Sequence, residues 1–103
     1  MTNPMSAGLP PTHPGAIWRE DILPALKQSK AEIARLIKVS RQTLYDIINE
    51  RQGITAPIAL KLGQLLNTTP EFWLNMQQAY DVRIERERMQ AELAGIPTLE
   101  AAA

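Results

Sequence analysis

The stretch SKAEIARLIKVSRQTLYDIIN, residues 29–49, constrains this chain more than any other. Ser29 followed by Glu32 has the spacing of a capping box, and Ile33, Ala34, Leu36 and Ile37 supply a buried face behind it. This predicts a helix from about 30 to 37. Only Lys38 and Val39 separate it from Ser40, a second N-cap, after which Leu44, Ile47 and Ile48 recur at three- and four-residue spacing. A helix is therefore expected from 41 to about 49. Two short helices joined by so brief a turn form a rigid unit, with small Ala34 letting them approach and Ile33, Val39, Leu44 and Ile47 closing the space between them.

The remainder reads as helices around that unit. Pro14 suits a first helical turn, and Ile17, Trp18 and Ile22 give a helix from 14 to 22 its apolar side before Pro24 interrupts it. Gly53 breaks the chain, Thr55 can cap the next helix, and Pro57 fits its first turn. Ile58, Ala59, Leu62, Leu65 and Leu66 form its inner stripe. Thr68 or Thr69 caps a fifth helix that could run to Leu93, with Gly95 as a left-handed residue beyond it and Pro97 preventing continuation. No internal repeat and no alternating strand pattern occurs, so the expected fold class is all-α. Residues 1–13, with Pro4, Gly8, Pro10 and Pro11, read as a flexible leader, 14–80 as the helical domain and 81–103 as a helical extension with a frayed tail.

Composition narrows the chemistry. With no cysteine there is no disulfide framework, thiolate zinc site or cysteine nucleophile. His13 is the only histidine, which leaves no histidine metal pair or charge relay and makes a place near a helix cap its ordinary role. Neither an acid–base pair nor a phosphate loop can be assembled, so the expectation is a binding protein without cofactor or metal, not an enzyme. No apolar stretch is long enough to span a bilayer, and MTNPMSAGLPPTHPG lacks the pattern of a secretory signal, so a cytoplasmic location is expected. The formal charge is zero but unevenly spread. Residues 27–51 hold six basic groups against three acidic ones, whereas 80–103 hold three arginines against five acids.

That basic segment coincides with the two-helix unit, the helix-turn-helix arrangement in which one helix crosses the DNA backbone and the next enters the major groove. The outward residues of the second helix are Arg41, Gln42, Thr43, Tyr45, Asp46 and Asn49. Gln and Arg near its N-terminus suit the edges of adenine and guanine, and Gln42 is the first candidate to read a base. Asp46 could accept from cytosine or repel phosphates where the base is wrong, and the sequence leaves both open.

The Ala of the first helix, Val-Ser at the turn and Asn ending the second resemble the Xre/Cro helix-turn-helix family. HPGAI at 13–17, SRQTL at 40–44, RQGIT at 51–55 and TTPEFWLNMQQAYDV at 68–82 resemble, more narrowly, HigA-type antitoxins. The resemblance implies a five-helix Xre/Cro-type domain with a long C-terminal helix. It also implies a protein that dimerises on double-stranded operator DNA, represses its own operon and neutralises a small ribonuclease toxin of the HigB/RelE type. By position it places Arg41, Gln42 and Asp46 toward base edges and Gln28, Ser29, Lys30, Thr43, Asn49 and Arg51 toward phosphates. Tyr45 could do either, and Ser40 belongs to the same DNA-binding set. Lys27, Lys38 and Glu50 stand where glycine is common in the family, so Lys38 has to accept a left-handed conformation at roughly 1 kcal/mol.

The fifth helix carries apolar residues on more than one side. Phe72, Trp73, Met76 and Tyr80 form a stripe while Leu74 and Val82 fall elsewhere, so a homodimer surface is expected at Phe72, Trp73, Met76 and Tyr80. Further along, RIERERMQAEL pairs Arg83 with Glu87 and Arg88 with Glu92 at four-residue spacing, a solvated helical face. Toxin binding would use a surface away from the second helix of the unit, with the leader and the first helix as candidates. A stand-alone repressor without a toxin, and an interaction module that no longer touches DNA, are the competing readings.

Overall fold

The computed structural model describes residues 12–101, all helix and connection with no strand among them. The leader segment 1–11 and the last two residues lie outside the described residues, so the expectation of a flexible leader concerns a part of the chain outside them. In order, the elements are α1 (Pro14–Ile17), a π-helical turn (Trp18–Ile22), α2 (Leu23–Ala25), α3 (Lys30–Leu36), α4 (Arg41–Ile48), α5 (Ala56–Leu66), α6 (Pro70–Arg88) and α7 (Gln90–Ala94). The helix expected over 14–22 thus continues past Pro24. Proline lacks the N–H and its ring collides with the carbonyl four residues back in a regular α-helix. Here the turn is wider, since the Leu23 N–H bonds the Trp18 carbonyl five residues back. Pro24 is carried through, and the chain leaves the helix only at Leu26, which is extended (φ −90°, ψ 148°).

His13 belongs with the fold, not the leader: it is buried, and its Nδ1 accepts the Gly15 N–H at 2.9 Å to cap α1. Ser29 and Glu32 form the expected capping box at α3, and Ser40 caps α4 by accepting from the Thr43 N–H at 3.0 Å. Thr69, rather than Thr68, caps α6, while the Thr68 hydroxyl accepts from Trp73 Nε1 at 2.8 Å. Thr55 stands at the N-cap of α5 without a side-chain bond, so its expected capping role is reduced to its extended backbone. Asn67 ends α5 at φ 56°, the left-handed residue of that C-terminus.

Trp18, Ile33, Ala34, Ile37, Leu44, Ile47, Ile48, Ile54, Ile58, Ala59, Leu62 and Trp73 make one core. Leu36, expected inside, is 54% exposed, because Ile33 and Ile37 take the inner positions of so short a helix. Leu65 and Leu66 are only half-buried at its edge. Packing of α1 against α4 is backbone to backbone: a Cβ on Gly15 would lie 1.8 Å from the Ile47 carbonyl oxygen.

The fifth helix also stops earlier than expected. α6 ends at Arg88, Met89 (φ −98°, ψ 12°) turns the chain, and α7 follows as one short helix. Gly95 caps α7 at φ −85°, in the right-handed region, so it does not supply the left-handed residue expected there. The break also reassigns an ion pair. Arg83 meets Glu87 at 3.1 Å as its spacing predicts, but Arg88 turns back to Glu85 with Nε at 2.9 Å, because Glu92 lies beyond the turn on another helix.

Candidate nucleic-acid interface

The helix-turn-helix unit is α3, the Ile37–Ser40 connection and α4. Lys38 takes the left-handed conformation its position demands (φ 59°), with its N–H on the Arg35 carbonyl and the next N–H on the Ala34 carbonyl. Lys61 of α5 donates from Nζ to the Lys38 carbonyl at 3.0 Å, tying the turn to the core. The left-handed cost, about 1 kcal/mol, is therefore met by a turn whose neighbouring donors and acceptors are satisfied. Lys27, also a glycine site in the family, is not among the residues with positive φ.

The outer face of α4 carries Arg41, Gln42, Tyr45 and Asn49 exposed, with Thr43 and Asp46 half-buried. These side chains engage one another. Ser40 and Thr43 share a hydroxyl–hydroxyl bond of 2.8 Å at the helix start. Gln42 Nε2 donates to Asp46 Oδ1 at 2.8 Å, and Arg51 Nε donates to the same oxygen at 3.1 Å. Lys30, at the start of α3, holds its ammonium 5.6 Å from the centre of the Tyr45 ring, a cation–π approach that joins the two helices. Gln28, Ser29 and Lys30 are exposed beside it, with Ser29 occupied by its capping box.

The far end of α4 is clamped by a residue the sequence did not single out. Arg19 of the π-helical turn donates from Nη1 to the Ile48 carbonyl at 2.7 Å and from Nη2 to Glu50 Oε2 at 3.2 Å. Glu50 is left-handed (φ 61°), which brings Asn49 and Arg51 back across the end of the helix. A second unforeseen residue is Gln77 of α6, buried at 7% exposure. Its Oε1 accepts from the Ile54 N–H at 2.9 Å and its Nε2 donates to Asp81 at 2.9 Å, fixing the segment after Arg51 to α6. No periodicity marks either residue, since both bind backbone far away in the sequence.

The four residues expected on a dimer surface separate. Trp73 is 1% exposed and packs in the core beside Trp18 (ring centres 6.1 Å apart), so its side chain does not lie on the outer surface of α6. Its indole sits in the core with the Nε1 donor met by Thr68, a packing choice that periodicity does not reveal. Phe72 is 49% exposed and meets Trp73 edge to face at 4.9 Å. Met76 and Tyr80 are half-buried, and Tyr80 lies against His13. Val82, at 45%, remains outward.

Two short helices at a tight turn, with a polar, amide- and guanidinium-bearing outer face, define a helix-turn-helix DNA-binding protein. Residues 25–73 match the helix-turn-helix family model. The chain is 37% identical over 82 residues to antitoxin HigA-1 of Vibrio cholerae, covering 80% of this chain and 77% of that protein. It superposes on antitoxin GraA in complex with its operator with TM-score 0.82 and 38% identity over 99% of both chains. On the Pseudomonas aeruginosa antitoxin HigA, solved with the higBA promoter, the TM-score is 0.81 and the identity 35%, covering 87% of this chain and 99% of that one. The chain belongs to the Xre-type helix-turn-helix family, in its HigA-type antitoxin branch. Its relatives are DNA-binding regulators and antitoxins, not enzymes. Among the described residues no helix is long and apolar enough to cross a membrane.

Proposed function

We propose that this protein is the cytoplasmic antitoxin of a toxin–antitoxin pair, binding its own operator as a homodimer and neutralising a small HigB/RelE-like ribonuclease. The carrying observation is the outer face of α4, where Arg41, Gln42, Tyr45 and Asn49 stand exposed on a helix clamped at both ends by Ser40 and Arg19. On this reading α4 enters the major groove, Arg41 and Gln42 meet base edges, and Gln28, Ser29, Lys30, Thr43, Asn49 and Arg51 lie toward phosphates. Two likenesses support it: GraA in complex with its operator and HigA with the higBA promoter superpose over most of this chain. The dimer forms through α6, with exposed Phe72 and half-buried Met76 and Tyr80 on its surface and Trp73 supporting them from within. The toxin binds away from α4, on the N-terminal segment and α1. In this division the segment up to and including α1 serves the partner, the remainder of 14–80 the DNA, and 81–103 carry the end of α6, α7 and the tail.

Co-expression with the adjacent gene in the native host, followed by purification and titration on the DNA upstream of the pair, tests both halves. Recovery of a complex containing a small basic ribonuclease, with binding to that upstream DNA, is the expected result. Operator binding with no co-purifying partner favours a stand-alone repressor, and a partner without DNA binding favours an interaction module.

A further inference from the structure

One oxygen of Asp46 gathers three donors. Oδ1 accepts from Gln42 Nε2 at 2.8 Å, from Arg51 Nε at 3.1 Å, and lies 3.1 Å from Arg51 Nη2. The backbone joins in, since the N–H groups of Arg51 and Gln52 both point to the Asp46 carbonyl, at 2.7 and 3.2 Å. This arrangement depends on Glu50, whose left-handed φ of 61° folds the chain back so that Arg51 reaches α4 from beyond its end.

A carboxylate only accepts, so an amide bonded to it must present its nitrogen. Contact with Asp46 therefore fixes which way the Gln42 amide faces. The exposed group keeps its oxygen and one N–H uncommitted, the acceptor–donor pair that complements N6 and N7 of adenine. Without the contact the side chain is free to rotate about its torsions and to reverse the amide, and binding has to pay for ordering it. Arg51 supplies the other requirement. Its guanidinium neutralises Asp46, which would otherwise carry an unpaired negative charge toward phosphates. Oδ1 is thereby occupied within the protein, its three donors all coming from Gln42 and Arg51.

We propose that Asp46 is a positioning residue that orients Gln42 for base recognition. This rests on the reading that α4 enters the major groove. The experiment begins with full-length protein and duplexes selected from a randomised pool, followed by anisotropy titrations on the selected site and on every single base-pair change in one half-site. Gln42→Ala, Asp46→Ala, Asp46→Glu and the Gln42→Ala/Asp46→Ala pair are compared, each with a melting curve. Asp46→Ala is expected to lose roughly fivefold or more discrimination at the same base pair as Gln42→Ala, and to lose nothing further when Gln42 is already alanine. Asp46→Glu keeps the charge but displaces the carboxylate, and is expected to lose discrimination at that pair too. It also keeps the comparison decisive if Asp46→Ala does not fold. Relaxation at a different base pair, additive losses in the double variant, or a change equal on all sequences would each overturn the proposal. A wild-type protein that enriches no sequence from the pool would instead overturn the groove reading beneath it.

Discussion

His13 and Tyr80 meet edge to face, ring centres 5.0 Å apart and planes at 79°, so the N-cap of α1 is seated on α6. The imidazole must be neutral there, since Nδ1 accepts the Gly15 N–H, and a proton on that nitrogen would remove the cap. Burial holds the His13 pKa below the ordinary 6.5, with Arg19 acting the same way. Glu50, Asp81 and the Gln52 backbone oppose them. Because the folded value lies below the unfolded one, the cap's contribution is complete above about pH 6.5. It is lost as the pH falls from there through the folded value. Urea midpoints taken from pH 7.5 to 5 are expected to fall for the native protein and to fall less for His13→Asn, which can cap without titrating. Equal slopes for the two proteins would remove His13 as the source.

Arg19 should matter to α4 without touching DNA. Arg19→Met leaves the Ile48 carbonyl and Glu50 without their partner and is expected to cost about 1–2 kcal/mol of stability. Chemical denaturation checks this, and hydrogen exchange should show the Ile47–Arg51 amides opening more readily. A variant with native exchange there would mean that α4 needs no clamp.

Gln42 and Lys30 separate specificity from affinity. Gln42→Ala is expected to cost about 1–3 kcal/mol on the selected operator and little on random DNA, whereas Lys30→Ala should weaken both and lower the salt dependence by about one. Titrations at several salt concentrations measure both. Equal weakening of cognate and random DNA by Gln42→Ala would redraw the groove assignment of α4.

Phe72 and Trp73 are adjacent but should behave oppositely. Trp73→Ala empties a core position and is expected to cost about 3–5 kcal/mol of folding stability. Phe72→Asp, on the exposed side, should leave the melting of the protomer nearly intact and shift sedimentation from dimer to monomer. A Phe72→Asp protein that sediments as the native one does would place the dimer surface elsewhere.

Gly15→Ala should be poorly tolerated, because the added methyl would fall on the Ile47 carbonyl and α1 would have to withdraw from α4. A loss of roughly 1–3 kcal/mol in a denaturant titration is expected.

What could be read in advance divides by range. The capping box of Ser29 with Glu32 and the N-cap at Ser40 follow from neighbours within a few residues, and the left-handed Lys38 from the family resemblance; each stands in the structure as expected. Leu36 and Trp73 were misplaced because both are apolar on an apolar face, and only the packing of other helices decides which of such residues goes inside. Arg19 and Gln77 carry no local signal, for their acceptor and donor are the backbones of Ile48 and Ile54. The Gln42–Asp46 contact was half legible. Its four-residue spacing was visible, but Arg51 joins it only because Glu50 turns the chain back.

The π-helical turn before Pro24 bears on how such a sequence can change by descent. A turn closed by a bond to the fifth residue back holds one residue more than the α-helical turn it replaces. Deleting a single residue between Arg19 and Pro24 would therefore let the segment close as ordinary α-helix while Trp18 and Arg19 kept their positions on α4 and the core. Length variation in this family should be absorbed at that site, and a one-residue deletion there should be milder than the same deletion anywhere in α3 or α4, where it would rotate every following side chain by about 100°.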